Sequence, residues 1–308
     1  MSRRTPENAY ELSNAGLVPP RRGDRVVIDD ISVCSQTSFP YYYDVIGDLM
    51  KTRSLPTSLA RVVEELELRQ PAVVTRSLLR EISAGADLHL TEDAVAERLV
   101  RYGWLLPLRR RDAWEFAPAA RAGRYPAGDP WIELRALLAH EPDAPAAVAF
   151  ESAVWELGHA THQPTRPVLA HRRGWRSPRS LGARAVTFDW RLPTRTVKGL
   201  PVWGEPTVVV AAAERPAAQG NWANADDWLP ETFGALAPDE VLTEAAGRNV
   251  STLARLGYLA AWSGRDDVAD EIEAVLPNRL PVTFLGPRDR RDRWSRRWRV
   301  YDSLLPTR

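Results

Sequence analysis

Apolar residues recur at helical spacing in three successive segments that follow Leu55. Each segment places its apolar residues on one side and its charged residues on the other, which predicts three amphipathic helices. Pro71 separates the first segment from the second, and a short polar turn separates the second from the third. The apolar faces are formed by Leu59, Val62, Val63 and Leu66, by Leu78, Leu79 and Ile82, and by Val95, Leu99 and Tyr102.

The second and third helices have clear start signals. Thr75 and Thr91 are favourable N-cap residues, because a threonine hydroxyl can accept a hydrogen bond from a free amide of the first turn. Glu92 and Asp93 follow the second cap and suit the positive end of a helix dipole. Gly103 can adopt the left-handed conformation that ends helices, so it predicts where the third helix stops.

A β-hairpin is predicted directly after the third helix, with the sequence RRRD at its tip. Three helices followed by a hairpin is the order of elements in a winged helix-turn-helix. In that fold the third helix enters the major groove and the hairpin rests on the DNA backbone. The alternating apolar positions of the two strands are Trp104, Leu106 and Leu108 in the first and Trp114 and Phe116 in the second.

The face of the third helix opposite its apolar side has residues that suit DNA reading. Arginine can contact the edge of guanine, and glutamate can accept a hydrogen bond from cytosine. Arginines at the hairpin tip would contact phosphates, which position a protein without reading sequence. The residues concerned are Asp93, Ala94, Glu97, Arg98 and Arg101 on the helix and Arg109, Arg110 and Arg111 at the tip.

Two alternatives stay open for this segment. Winged helices also dock onto other proteins, and residues 55–118 hold nine arginines against ten acidic residues, so the segment as a whole is not basic. The same pattern is also compatible with a different fold.

The remainder of the chain mixes helical and strand patterns, and the fold class predicted for the whole protein is α+β. We expect a winged helix-turn-helix domain over residues 54–120 and a mixed α/β C-terminal domain over residues 126–308. The run at 205–216 is apolar and ambiguous in type. Helices are predicted at 129–140, 146–158, 238–249, 250–264 and 267–276, and strands at 166–172, 183–190, 281–286 and 297–305.

Residues 1–53 show no sustained period and contain three prolines before residue 21, so we expect a disordered leader. Met50 stands just before the regular pattern begins. Two interpretations fit equally well: a flexible tail of the protein, or sequence translated upstream of a true start at Met50. In either case we expect residues 1–49 to be dispensable.

Composition excludes several classes of protein. The chain has 308 residues, 44% of them hydrophobic, and no apolar run approaches the roughly 18 residues of a membrane span. No secretory signal is visible, and a single cysteine, Cys34, cannot form an internal disulfide. We therefore expect a cytoplasmic protein without membrane contact. The net charge of +1 is uninformative about nucleic acid.

The sequence contains few motifs that indicate catalysis or metal binding. The chain has no nucleophile elbow, no glycine-rich phosphate loop and no zinc-protease motif. His159, His162 and His171 lie close in sequence, but no further metal ligand accompanies them. We expect no catalytic residue, no metal and no cofactor, and we do not expect an enzyme; an enzyme with an unrecognised site is the third alternative.

Seven short segments resemble one known family in the family's order. They are RVVEEL, PAVVTRSLL, AERLVRYGWLLPL with WEFAP, DPWIELRALLA, AFESAVWELG, LARLGYLAAWSG and RWRVYDSLLP, and they span nearly everything from Leu55 to the C-terminus. The chain is similar to the AbiEi-type antitoxins of type IV toxin–antitoxin systems, in particular to a mycobacterial two-domain DNA-binding member. The leader before Leu55 is not part of the family pattern.

The resemblance implies a function as well as a fold. Its N-terminal winged helix would bind double-stranded DNA upstream of its own operon and repress transcription. Its AbiEi-like C-terminal domain would counteract a nucleotidyltransferase-like toxin, with or without direct contact. The alternative is an interaction module that binds the toxin and not DNA. By position, the DNA contacts implied are Arg76 and Arg80 on the second helix, Ala94, Glu97, Arg98 and Arg101 on the third, and Arg109, Arg110 and Arg111 at the tip.

A second arginine cluster lies near the C-terminus, where seven arginines stand against two aspartates between Gly286 and Tyr301. Arginine forks match phosphate and carboxylate, so the cluster suits an acidic partner or an RNA backbone. Solvated surface and an extension of the DNA footprint are the other interpretations. We expect a candidate antitoxic surface formed by Arg288, Arg290, Arg291 and Arg293.

Overall fold

The computed structural model describes residues 57–120 and 127–307. The predictions made for residues 1–53 lie outside the described residues. Within them the α+β class is confirmed, with helices and three separate β-sheets. No helix in the described part of the chain is both long and apolar enough to cross a membrane.

The predicted three helices and hairpin are present over residues 57–118, which we call the helix–wing region. A strand that the sequence did not predict, β1, lies between the first two helices and pairs with β3, so the sheet has the order β1-β3-β2. The elements are α1 (Ala60–Arg69), β1 (Val73–Thr75), α2 (Arg76–Gly85), α3 (Glu92–Arg101), β2 (Leu105–Pro107) and β3 (Ala113–Phe116).

The predicted helix caps are confirmed. The Thr75 hydroxyl accepts a hydrogen bond from the Leu78 amide at 3.2 Å, and the Thr91 hydroxyl accepts one from the Ala94 amide at 3.3 Å. Gly103 follows α3 with a positive φ of 78°. The three apolar faces meet in one hydrophobic cluster, which also includes the inward residues of the sheet.

The alternation predicted for β2 is wrong by one position. Leu105 is fully buried and pairs with Phe116, whereas Leu106 is only half-buried. Trp104 is also buried, but it precedes the strand: its amide donates to the Leu99 carbonyl in the turn that ends α3. Trp104 therefore lies outside β2, and its burial does not decide which residues of β2 face the core.

A five-stranded mixed sheet follows, with the order β6-β5-β4-β8-β7. The pairs β4–β5 and β7–β8 are antiparallel, and β4–β8 and β5–β6 are parallel. The strands predicted at 166–172 and 183–190 are confirmed, while β4, β7 and β8 were not predicted. The strands are β4 (Ala146–Val148), β5 (Val168–His171), β6 (Arg184–Thr187), β7 (Arg195–Val197) and β8 (Leu200–Val202).

Helices surround this sheet and form a second hydrophobic cluster with it. The single helix predicted at 146–158 is wrong in its first part, because residues 146–148 form β4 in the middle of the sheet and the helix begins at Phe150. The ambiguous run at 205–216 contains α6. The helices are α4 (Ile132–His140), α5 (Phe150–Glu156), α6 (Glu205–Glu214), α7 (Ala225–Gly234), α8 (Pro238–Ala245), α9 (Val250–Trp262) and α10 (Asp266–Ala274).

Helix α6 lies at the centre of this cluster, with nine of its ten residues buried. At its N-terminus, the Glu205 carboxylate contacts Nε2 of His159 at 3.1 Å and the Arg195 guanidinium at 2.8 Å. Burial alone would raise the pKa of Glu205, but the hydrogen bond with His159, a backbone amide and the charge of Arg195 hold it below its ordinary value. At the other end, Arg255 donates to the carbonyls of Ala213 and Glu214.

The chain closes with a three-stranded sheet of order β10-β11-β9, formed by β9 (Thr283–Leu285), β10 (Arg293–Ser295) and β11 (Val300–Asp302). The strand predicted at 281–286 is confirmed. The segment 297–305 is not one strand, because a turn precedes β11, and β10 was not predicted. Trp298 and Val300 are buried and Tyr301 is half-buried.

A fully buried carboxylate, that of Glu244 on α8, joins three parts of the C-terminal region. It accepts hydrogen bonds from the amides of Arg191 and Leu192 at 2.9 and 2.8 Å, and from the Thr207 hydroxyl of α6 at 3.3 Å. Arg248 lies 3.4 Å away. Since the buried carboxylate accepts hydrogen bonds from both sides, it holds the 190–192 segment against α6 and α8.

Replacing Glu244 with alanine should lower the free energy of unfolding by about 3–5 kcal/mol, because two amides, a hydroxyl and a guanidinium lose their acceptor. Urea denaturation measures this loss. Glu240→Ala on the same helix is the matched control, since Glu240 is exposed, and it should cost less than about 1 kcal/mol. Equal losses from the two variants would contradict the structural role of Glu244.

Candidate nucleic-acid interface

The exposed side of α3 is fixed in place by the opposite side of the same helix. Val95 and Leu99 are fully buried, which turns the positions between them outward. Arg98 is exposed, and its side chain makes no hydrogen bond or ion pair with any residue that the structure describes. Ala94 is half-buried and sits where its amide is capped by Thr91. Arg98 is therefore a cation available to a ligand.

The other arginines predicted on α2 and α3 each have an acidic partner. Arg101 lies 2.7 Å from Glu97 of the preceding turn, and Arg80 lies 2.5 Å from Glu92. The hydrogen bond from Arg80 is the main cause that lowers the pKa of Glu92 below its ordinary value. Most of the positive charge on this surface is therefore compensated.

Arg76 connects the three elements that would face DNA. Its guanidinium lies 2.6 Å from Asp93 in the first turn of α3 and 2.8 Å from Asp112 at the hairpin tip. Its amide also donates to the Asp112 carbonyl. Because one side chain at the start of α2 contacts both α3 and the hairpin, it holds these two elements together.

Part of the hairpin tip contacts α4 and the residue that follows it. The Arg109 amide donates to the Glu133 carboxylate of α4 at 2.9 Å, and Arg110 forms an ion pair with Glu141 at 3.0 Å. Arg111, by contrast, is exposed and has no partner among residues 57–120 and 127–307. The three tip arginines are thus close in space but differ in their availability to a phosphate.

The C-terminal arginines divide in the same way. Arg293 forms an ion pair with the buried Asp302 at 2.7 Å and donates to the carbonyls of Leu305 and Pro306, so it holds the end of the chain in place. The Arg291 guanidinium lies 5.4 Å from the centre of the Tyr301 ring. Arg288 and Arg290 are exposed, and the described structure gives their side chains no partner.

The histidines of the central segment are placed separately. His159 contacts Glu205, His162 contacts the Thr161 hydroxyl, and His171 lies beside Trp175 and Thr187. Within the described residues, no three side chains of the metal-binding types form a group that could hold a metal ion.

Sequence reasoning missed the partners of several arginines. The pairs Arg76–Asp112 and Arg110–Glu141 join positions 36 and 31 residues apart, so no helical or strand period signals them. The pair Glu97–Arg101 does have such a signal, because an acid four residues before an arginine on a helix face commonly forms an ion pair.

Comparison with known proteins confirms the resemblance to AbiEi-type antitoxins. Residues 146–261 match the family model described as the AbiEi antitoxin C-terminal domain. The chain is also similar to the RV2827C protein from Mycobacterium tuberculosis, whose crystal structure superposes with a TM-score of 0.70 at 27% sequence identity, covering 82% of this chain and 94% of that one. No curated protein matches the chain. The C-terminal region is thus similar to antitoxins of toxin–antitoxin systems.

The compensation of charge on α3 can be tested by replacing Glu97 with glutamine. This change removes one negative charge and the ion pair with Arg101 from the outward face of α3, so binding to random DNA duplex should strengthen and the salt slope should steepen by up to about 0.9, the value for one added phosphate contact. Fluorescence anisotropy at several salt concentrations measures both. Glu64→Gln removes the same charge from α1 and should change neither; equal effects would show that only total charge matters.

Proposed function

We propose that the protein is a DNA-binding repressor of its own operon and an antitoxin against a nucleotidyltransferase-like toxin. Residues 54–120 would bind double-stranded DNA, and residues 126–308 would carry the antitoxic function. The observation that carries the DNA-binding part is Arg98, which stands exposed and unpaired within the described chain on a helix whose opposite face is buried. The match of residues 146–261 to the antitoxin domain supports the other part.

Helix α3 is suited to base reading because its arginines differ in freedom. Arg98 can extend toward a guanine edge, while Arg101 is held against Glu97 in a fixed direction. Glu97 itself can accept a hydrogen bond from a cytosine amino group. A surface that combines one free and one oriented cation with an acid binds arbitrary phosphates weakly, so its affinity depends on the correct bases.

The contacts with the backbone would come from the other proposed residues. Arg111 can reach a phosphate without breaking any interaction in the described structure. Arg76, Arg80, Arg109 and Arg110 are also proposed contacts, but phosphate must compete with carboxylates for Arg76, Arg80 and Arg110. These pairs are partly exposed, and exposed pairs contribute little stability, so such competition costs little.

One observation favours a second candidate function, in which the helix–wing region binds the toxin and not DNA. Its arginines are paired with acids more often than a phosphate-binding surface requires, and a surface of mixed charge suits a protein partner. A mobility shift with the duplex upstream of the operon separates the two, since a toxin-binding module would leave that duplex unshifted.

Arg98→Ala and Arg111→Ala should weaken operator binding in different ways. Loss of Arg98 should cost about 1–3 kcal/mol and relax the preference for the operator over random duplex, because a base contact is removed. Loss of Arg111 should weaken both duplexes alike and reduce the salt slope by about 0.9.

The control for this pair is Arg61→Ala, an exposed arginine on α1 that should leave binding unchanged. Anisotropy titrations with the operator and with a shuffled duplex measure all three variants. If Arg98→Ala and Arg111→Ala give equal, sequence-independent losses, α3 does not lie in the groove.

The C-terminal cluster should act in toxin neutralisation and not in repression. We expect the triple variant with serine at Arg288, Arg290 and Arg291 to lose rescue from the toxin while keeping repression of the promoter. Arg293, the fourth residue of the proposed surface, is left intact because its ion pair with the buried Asp302 supports the fold.

Toxin rescue and promoter activity are measured separately for this variant, with a melting curve as control. Loss of repression with retained rescue would assign the cluster to the DNA site. No change in either function would make the cluster solvated surface.

A further inference from the structure

The outward face of the C-terminal sheet carries one aromatic residue from each strand. Trp294 of β10 pairs directly with Tyr301 of β11, and Tyr301 pairs directly with Phe284 of β9. Their strand neighbours Thr283, Leu285, Val300 and Asp302 are buried on the other face. Because side chains alternate along a strand, the three aromatic residues form one row across the sheet, which we call the aromatic row.

The rings of the aromatic row contact one another and remain accessible. The Trp294 and Tyr301 ring centroids are 4.5 Å apart, and those of Tyr301 and Phe284 are 5.6 Å apart and nearly parallel. Trp294 is 45% exposed, although tryptophan has the largest apolar side chain of the residues in the protein. Its strand β10 is an edge of the sheet, with no strand on its outer side among the described residues. The row therefore ends at the sheet edge in the exposed ring of Trp294.

Arginines without acidic partners border the aromatic row at both ends of the strands. Arg288, Arg290 and Arg291 lie on the connection from β9 to β10, which passes the end of β11, and Arg291 lies over the Tyr301 ring. Arg296 and Arg299 lie in the turn between β10 and β11 and are exposed, with no ion pair in the part of the chain described.

The acidic groups near the row do not neutralise these arginines. Asp289 and Asp292 share the β9–β10 connection but form no ion pair with the arginines beside them in the described structure. Asp270 and Glu273 of α10 are both taken by Arg297, and Asp302 is taken by Arg293. Five exposed arginines without an ion pair in the described chain lie on the two connections and stand against Asp289 and Asp292, so the surface around the aromatic row has a net positive charge.

We propose that this face binds single-stranded RNA, with an unpaired base stacked on Trp294 and phosphates held by the arginines of the β9–β10 connection. Aromatic side chains beside arginines are the arrangement by which proteins hold single strands, since every base offers a π-face and the backbone offers negative charge. Duplex bases are already stacked on each other, so a duplex could use only the arginines. An acidic protein would likewise leave the aromatic row uncovered.

RNA is the occupant because its loops, bulges and ends present unpaired bases, whereas the bases of DNA are paired outside special contexts. The site is distinct from the one proposed on α3. RNA binding would specify the antitoxic role proposed for Arg288, Arg290 and Arg291. Only the biological meaning of the site rests on that proposed function. Binding itself can be measured without any toxin, so failure of one proposal does not decide the other.

The test uses the full chain and a fluorescent twelve-nucleotide RNA of mixed sequence without secondary structure. Anisotropy should show salt-dependent binding that is at least about tenfold tighter than to an RNA duplex of equal length, since stacking is available only in the single strand. Single-stranded DNA of the same sequence and poly-glutamate serve as competitors, and both should compete less well than unlabelled RNA.

Trp294→Ala should weaken RNA binding by about tenfold or more with an unchanged salt slope, and Trp294→Phe should restore most of the affinity. The double variant Arg288→Ser and Arg290→Ser should instead reduce the salt slope by about 1.4, or 0.7 for each phosphate contact. Arg166→Ser with Arg176→Ser removes the same charge from exposed positions elsewhere and is the matched control.

Several outcomes would overturn the proposal. They are equal affinity for duplex and single strand, an effect of the control pair equal to that of Arg288→Ser with Arg290→Ser, or full competition by poly-glutamate. Tighter binding of single-stranded DNA would overturn the choice of RNA. If Trp294→Ala lowers the melting temperature, Trp294→Phe and the arginine variants decide the question, because neither removes packing from the core.

Discussion

A helix with nine of its ten residues buried organises the C-terminal region, because the polar groups at its ends take most of their partners from the protein. At the N-terminus of α6 the buried Glu205 carboxylate is paired with His159 and Arg195, and at its C-terminus Arg255 donates to the carbonyls of Ala213 and Glu214. Arg255 also donates to the Thr283 hydroxyl at 3.0 Å, so the same guanidinium connects the buried helix to the final sheet.

The surfaces proposed to act on partners depend on which arginines the fold leaves unpaired. Ion pairs take up the charge of many arginines in this chain but are distributed unevenly among the described residues. Arg293 and Arg297 support the fold, while Arg288 and Arg290 nearby have no partner in the described structure. On the helix–wing region Arg98 and Arg111 stand out in the same way. These surfaces are distinguished by arginines that are available to a phosphate, and not by the number of their arginines.

The contact between the hairpin and α4 links the two regions of the chain. Arg110 pairs with Glu141, and Glu133 accepts from the Arg109 amide, so the hairpin tip rests on the first helix of the C-terminal region. A hairpin held at two points would already be in position for the proposed contact with DNA, which would lower the entropy that binding has to offset. The elements proposed to face DNA are further joined by Arg76.

The sequence by itself determined the three amphipathic helices, their threonine caps, the hairpin, and the arginines from which both candidate surfaces are drawn, because these depend on neighbours within a few positions. It did not determine β1, β4, β7, β8 and β10, since strands of three residues carry too little period to be seen unless a hairpin signal or a longer apolar run marks them. Only the tertiary structure decided which arginines are unpaired in the described chain, because the carboxylate partners of the paired ones lie up to 36 residues away. It also brought Phe284, Trp294 and Tyr301 into one row, through strand pairing that no local pattern records.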